Sequence, residues 1–188
     1  MRRPALIPVR RVLRRFSRQE HGNVALEAVI IAPILFWAFM ATVTIFDAYR
    51  QHSINQKAAY TIGDMVSRED RALTPAYLNG ARQLFDSLAR SAQPSSIRIT
   101  SVRYDAVNNR YLRSWSERVG PVAAATEDEV EGWNVRLPIM PHDEEITVVE
   151  TWARYAAPFN VGIIDHDIHN FIFTRHRSSG SNTWDPDA

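Results

Sequence analysis

Nineteen consecutive residues, Ala28 to Phe46 (AVIIAPILFWAFMATVTIF), carry no charge, and no other feature limits the possible folds of this chain so strongly. A helix of about 20 apolar residues crosses the roughly 30 Å hydrocarbon core of a bilayer. A helix of that length inside a soluble core normally keeps a polar face, whereas here the only polar side chains are threonines. The run therefore predicts a transmembrane helix. Pro33 would break a soluble helix, but in a membrane bundle neighbouring groups re-satisfy the freed carbonyl and proline is tolerated. A cleaved secretory signal has an apolar core of about 7 to 15 residues followed by a small-x-small site. This run is longer and exits into Asp47, Ala48 and Tyr49, so it is expected to stay in the membrane as an anchor.

Charge gives the run a direction. The 188 residues have a formal net charge of +1, but residues 1–22 hold seven arginines and one glutamate, which leaves fifteen basic and twenty acidic side chains in residues 23–188. Positive residues flanking a membrane segment stay cytoplasmic. Arg2, Arg3, Arg10, Arg11, Arg14, Arg15 and Arg18 thus predict a cytoplasmic leader over 1–22, a span over 23–49, and an exported head over 50–188. Such an arm can also bind DNA or anionic lipid. A nucleic-acid partner is disfavoured, because the positive charge is confined to the arm and the folded part is acidic. The chain has no cysteine, which excludes disulfide frameworks, thiolate metal sites and thiol nucleophiles.

Glu27 stands at the edge of the apolar run, where an ionised side chain is costly and points to a functional pairing; the plainer reading is an interfacial glutamate that snorkels toward the headgroups. Its surroundings add to the first reading. Gly22 is followed by Asn23, Val24, Ala25, Leu26 and Glu27, with an arginine-rich arm before and an apolar helix after. This pattern resembles a type IV prepilin processing site. The stretch RQEHGNVALEAVIIAPILFWAFMATVTIFD, with Gly22, Leu26, Glu27 and Pro33 in their places, further resembles the start of the TadE-like family of tight-adherence pilus proteins. That family often has an aromatic residue after the glutamate, and this chain has Ala28. Softer support comes from the aromatic stretch Tyr104 to Trp115 and the basic Thr-Arg-His-Arg at 174–177.

The resemblance implies cleavage by a prepilin peptidase between Gly22 and Asn23, with Glu27 retained for charge pairing in the assembled bundle. Glycine suits the cleavage position because it lets the peptide lie extended in a groove, and cutting there frees an α-amine on Asn23. Within a dry bundle Glu27 and such an amine of a neighbour neutralise one another. Ala28 and Ala32 form a small-x-x-x-small pair beside Pro33 where another helix can approach. By the same resemblance the chain is a non-enzymatic minor pilin or pseudopilin of the bacterial inner membrane, with its head in the periplasm. Its partners are then the membrane, the peptidase, the major pilin, sister TadE-like pseudopilins and the inner-membrane pilus platform. No cofactor is implied.

Beyond the span, Ile54, Ala58, Ile62 and Val66 recur every fourth residue, the stripe of an amphipathic helix. An unbroken helix from Val24 to Val66 is the expectation, in a stalk-and-head geometry, with Gly63 loosening its end. Thr74 and Pro75 read as an N-cap with proline at the first helical position, and Leu78, Ala81, Phe85 and Leu88 supply the apolar face. Strands are expected over Ile97–Val107, Arg110–Val119, Ile146–Tyr155 and Ile168–His176, the first two joined at the turn residues Asn108 and Asn109. Pro121 to Glu131 reads as a short surface helix, and 178–188 as a mobile tail. The fold class is therefore α+β, with about four antiparallel strands covered on one face by helices.

Asp165, His166, Asp167 and His169 are the best metal-like cluster, since carboxylate and imidazole both ligate divalent ions. On a strand, however, His166 and His169 face opposite sides, and a solvated polar turn explains the residues as well. No Gly-x-Ser-x-Gly elbow, phosphate loop or His-Glu-x-x-His helix occurs. Two rival readings remain at this level: a membrane-tethered periplasmic enzyme or metal-binding domain using residues 165–169, and an uncleaved single-pass scaffold in which the Gly22 to Glu27 spacing is coincidental.

Overall fold

A computed structural model describes residues 23–91, 93–177 and 182–187. The leader with its seven arginines, and Gly22, lie outside the described residues. Helix α1 runs from Asn23 to Ser67, 45 residues with Pro33 inside it, which is about 68 Å at 1.5 Å per residue. It is continuous, as the stripe of its second half predicts. Gly63 does not loosen it. A Cβ built there would sit 3.2 Å from Ile172 Cγ2, so the glycine lets the helix lie close against the sheet.

Helix α2, Pro75–Ala89, starts at Thr74, whose side chain accepts a hydrogen bond from the Tyr77 amide, and stops at Arg90 in the left-handed conformation. Its buried face is Leu78, Ala81, Phe85 and Ala89. Leu88, expected there, is exposed, because the contact with α1 continues through Ala89 instead. Four strands follow: β1 (Ser96–Asp105), β2 (Arg110–Val119), β3 (Glu145–Tyr155) and β4 (His166–Thr174). They form one sheet in the order β2-β1-β3-β4, every pairing antiparallel. The β1–β2 turn closes two residues earlier than expected, because the Asp105 carboxylate accepts hydrogen bonds from Val107 N, Asn108 N and Asn108 Nδ2. These contacts, that from the Asn108 side chain above all, hold the Asp105 carboxyl below its ordinary pKa.

Alternation along the strands splits the sheet into two buried faces. Ile97, Ile99, Val149, Ala153 and Ile172 pack under α1 and α2 with Ile62, Val66 and Phe85. The other face carries Val102, Tyr104, Tyr111, Ile146 and Val148, and here the sheet is roofed by Ala125, Val130, Trp133 and Leu137. The roof is α3 (Glu127–Glu131), capped by Thr126, with a 3₁₀ turn over Gly132–Val135. Helices thus cover both faces rather than one. The short acidic segment is a lid on a second core and not a free surface helix.

The chain end differs from expectation too. Leu73 and Trp184 form a parallel bridge, with Leu73 N donating to Thr183 O at 2.8 Å and Asp185 N to Leu73 O at 2.9 Å. Asn182 is buried and donates to Thr147 Oγ1 at 3.0 Å, and Trp184 lies 6.0 Å from Trp115 between ring centres. Residues 182–187 are therefore tied down; the rest of the segment read as a tail lies outside the described residues. Fully burying an aromatic side chain makes its loss cost about 3–5 kcal/mol, so Trp184→Ala, at a half-buried position, should cost about 1–3 kcal/mol. Urea unfolding of the detergent-solubilised chain, followed by circular dichroism, measures it; an unchanged midpoint would mean that the end of the chain is not part of the core.

Candidate functional site

The two halves of α1 meet different surroundings. From Val24 to Phe39 every side chain is exposed, and from Val24 to Val43 none is buried; Thr44 is the first that is. That bare stretch of 20 residues is about 30 Å long, the thickness of a hydrocarbon core. Among the described residues, α1 is the one helix long and apolar enough to cross a membrane. Its threonines add no unpaired donor, since Thr42 Oγ1 donates to Ala38 O and Thr44 Oγ1 to Met40 O, each at 2.9 Å.

Asn23 opens α1. Glu27, Ala28, Ala32 and Pro33 all sit on the bare part and are exposed, and Glu27 has no hydrogen-bond or salt-bridge partner among the described residues. The helix brings Asn23 and Glu27 onto one face one turn apart, and Ala28 and Ala32 likewise.

The joint between bare helix and head is specific. Tyr155, the last residue of β3, sends its hydroxyl to Thr44 O and Asp47 Oδ2, each at 3.4 Å. Burial, and then the charge of Asp47, pushes that hydroxyl above its ordinary pKa. Gln51 Nε2 donates to Ala89 O at 2.8 Å and so joins α1 to the end of α2. At the far end of α1, Arg177 N donates to Ser67 O at 2.9 Å and its guanidinium reaches Asp64 at 2.7 Å, while Arg175 pairs with Glu144 at 2.6 Å. The basic 174–177 segment therefore fastens the C-terminal end of the long helix, where cations are favoured.

The acid and histidine residues at 165–169 do not converge. Asp165 Oδ1 accepts from Ala157 N at 3.0 Å, Asp167 pairs with Arg154 at 3.3 Å, and His166 meets the Ile164 carbonyl at 3.1 Å. His169 lies on the opposite face of β4, within 3.1 Å of Glu150. Among the described residues no three His, Asp or Glu side chains are placed to hold a metal ion.

What sequence reasoning missed is the cluster that His169 joins. Glu150 on β3 is 2% exposed. Arg98 on β1 donates to it through Nε at 2.7 Å, reaches Glu129 of α3 through both terminal nitrogens, and touches Ala123 O at 3.2 Å. The guanidinium lies 5.3 Å from the Trp152 ring, which stacks on His169 with centres 4.6 Å apart. Burial works against the charge of Arg98, but hydrogen bonding to Glu129 and the charge of Glu150 outweigh it and raise the guanidinium pKa. A glutamate in the middle of the most apolar strand, VVETW, was the available signal, because such a residue is almost never fully buried without a partner.

Comparisons with protein-family models, with curated proteins and with solved structures find no match to this chain.

Removing one partner of a buried ion pair costs about 3–5 kcal/mol, while replacing the pair by apolar residues of similar size is often neutral. Arg98→Met should thus destabilise the head strongly, and the double variant Arg98→Met with Glu150→Leu should recover most of the loss in urea unfolding. Additive losses would show that the pair acts through separate contacts.

Proposed function

We propose that this chain is a non-enzymatic, minor pilin-like (pseudopilin) component of a bacterial tight-adherence type IV pilus or a related secretion machine. On this reading it sits in the inner membrane with its N-terminus in the cytoplasm and its head in the periplasm. The observation that carries it is the bare, apolar half of α1 with one carboxylate, Glu27, close to its start and without a partner among the described residues. A span that only anchors gains nothing from a carboxylate at its edge, whereas a helix that packs laterally with others can use one to meet a neighbour's charge. The leader arginines and the spacing from Gly22 to Glu27 support the same reading, and so does a head fastened along the second half of the helix.

Its mechanism is assembly. A prepilin peptidase cuts after Gly22 and frees the amine of Asn23, α1 packs beside the helices of the major pilin and of sister TadE-like pseudopilins, and Glu27 compensates that amine. Ala28 and Ala32 admit the neighbouring backbone, since small residues allow close helix contact. Pro33 removes one backbone donor and leaves the Val29 carbonyl available to a partner. The head stays beside the inner-membrane pilus platform or is carried into the filament.

Topology is tested by a reporter active only in the periplasm: fused after Ala188 it should be active and fused at Arg18 silent, and the opposite pattern would overturn the orientation. Coexpression with a cognate prepilin peptidase should remove 22 residues and expose Asn23, and Gly22→Leu should leave the chain full length; mass spectrometry of the membrane-extracted protein reads both. Glu27→Ala should then be processed yet defective in assembly, because a neighbour's buried amine is left unpaired at a cost of about 3–5 kcal/mol in a dry bundle. Normal piliation with this variant would return Glu27 to a headgroup-facing role.

A further inference from the structure

Resting on the reading of α1 as a membrane span, we propose that the loop between β3 and β4, residues 156–165, is a second membrane contact. It lays Phe159 and Ile164 into the headgroup boundary of the leaflet from which α1 emerges. Position is the first argument. Tyr155 holds Thr44 and Asp47 of α1, and the charge-free run ends at Phe46, so β3 arrives at the level where the hydrocarbon stops. β3 runs along α1 from Val149, paired with the Ile172 that meets Gly63, to Tyr155 at Thr44, so the strand heads toward the bare half of the helix and the loop follows its end.

Composition is the second argument. The loop reads AAPFNVGIID, whereas a connection facing water is normally a cluster of polar turn residues. Ile164 is 79% exposed and Phe159 40%. Side chains of this kind at a bilayer edge bury about 5–10 Å into the boundary between headgroups and acyl chains. The loop is also held in shape rather than collapsed. Ala157 N donates to Asp165 Oδ1 at 3.0 Å, Val161 N to Phe159 O at 3.0 Å, and Gly162 takes a φ of 101°, which suits a residue without a side chain.

The surroundings fit the same partner. Phe46 and Tyr49 of α1 are exposed at this level, where aromatic residues favour the membrane interface. The bond from Gln51 to Ala89 brings Arg90 to the end of the head that also carries Arg50. Val119 pairs with Ile97 at the start of β1, which puts Arg118 there too. These three arginines are exposed and form no salt bridge among the described residues, as expected of groups that meet anionic headgroups. Val107 is as exposed as Ile164, but it lies in the β1–β2 turn at the opposite end of the sheet and serves as the control.

The chain has no cysteine, so single cysteines can carry an environment-sensitive nitrobenzoxadiazole label on the full-length protein in vesicles of phosphatidylethanolamine and phosphatidylglycerol. Ile164→Cys and Phe159→Cys are compared with Ile34→Cys in the span and Val107→Cys at the far end, with lipids brominated on their acyl chains as quenchers. Labels at 164 and 159 should be quenched at least about half as deeply as at 34, given boundary insertion, and 107 should not be quenched. Quenching at 34 alone would overturn the loop contact and leave the span standing; no quenching at 34 would overturn both. A blue-shifted but unquenched label at 164 would mean that protein rather than lipid covers the loop, and this too would defeat the proposal. The pair Arg90→Glu with Arg118→Glu should weaken quenching at 164 and not at 34; equal quenching would remove the arginines from the contact.

Discussion

One helix has two kinds of surroundings: its first half is bare and apolar enough to cross a membrane, and its second half packs into the head. An α-helix closes its own backbone hydrogen bonds, so it can leave hydrocarbon and enter a protein core without interruption; only its side chains have to change. In α1 they change over about three turns, between Thr44 and Asn55, the first two buried residues of the helix. From Val24 to Val43 no side chain is buried, and from Thr44 the helix begins to meet the head, through Tyr155 and then through Asn55, Ala58, Ile62 and Val66. The sheet depends on that second half. Val149, Ala153 and Ile172 share one core with Ala58, Ile62 and Val66 of α1 and Phe85 of α2, and Ile172 is met closely because position 63 carries no side chain. The head is therefore not a domain hung from the bare helix, since that helix's continuation is one of its walls.

The opposite face of the sheet is organised by charge. Arg98 on β1 touches Glu150 on β3 and Glu129 on α3, and Glu150 touches His169 on β4. One guanidinium thus fixes the lid to the sheet. Buried ion pairs contribute little net stability compared with apolar packing, and Val130, Trp133 and Leu137 already supply that packing. What the cluster adds is position: a carboxylate in the middle of an apolar strand is satisfied only when α3 sits where Glu129 can share the arginine.

The elements most legible in the sequence are those set by local chemistry. The stripe from Ile54 to Val66, the Thr74–Pro75 start and the strand 146–155 all report short-range periodicity or capping, and they stand within a residue or two of where they were expected. The sheet's second cover was not legible. Glu127 to Glu131 is acidic, and nothing in its own pattern says that Val130 is fully buried or that Glu129 has a partner far along the chain. The end of the chain is illegible for the same reason: a polar, glycine-containing segment looks mobile until Asn182 and Trp184 find Thr147, Leu73 and Trp115. In the candidate site, the bare helix and its carboxylate were legible, because hydrophobicity and charge are properties of the residues themselves; the Tyr155 joint, a contact between distant segments, was not.

That joint limits what can pair with Glu27. Thr44 stands seventeen positions after Glu27, about 25 Å along the axis, and the head begins there. No group among the described residues of the head therefore reaches the carboxylate, and a partner has to come from the start of the helix or from another molecule. On the proposed reading the amine freed at Asn23 is the only cation near the start, and it lies one helical turn from Glu27 on the same face. In an isolated, processed chain the two can meet each other at the membrane surface, where water still screens them. Lateral packing offers the same amine from a neighbour displaced along the axis, in a drier setting where an opposite charge counts for more. The exchange of an internal pair for an intermolecular one leaves no charge unpaired at either stage, so a carboxylate at this depth can be tolerated before assembly and can set the axial offset between helices once they pack.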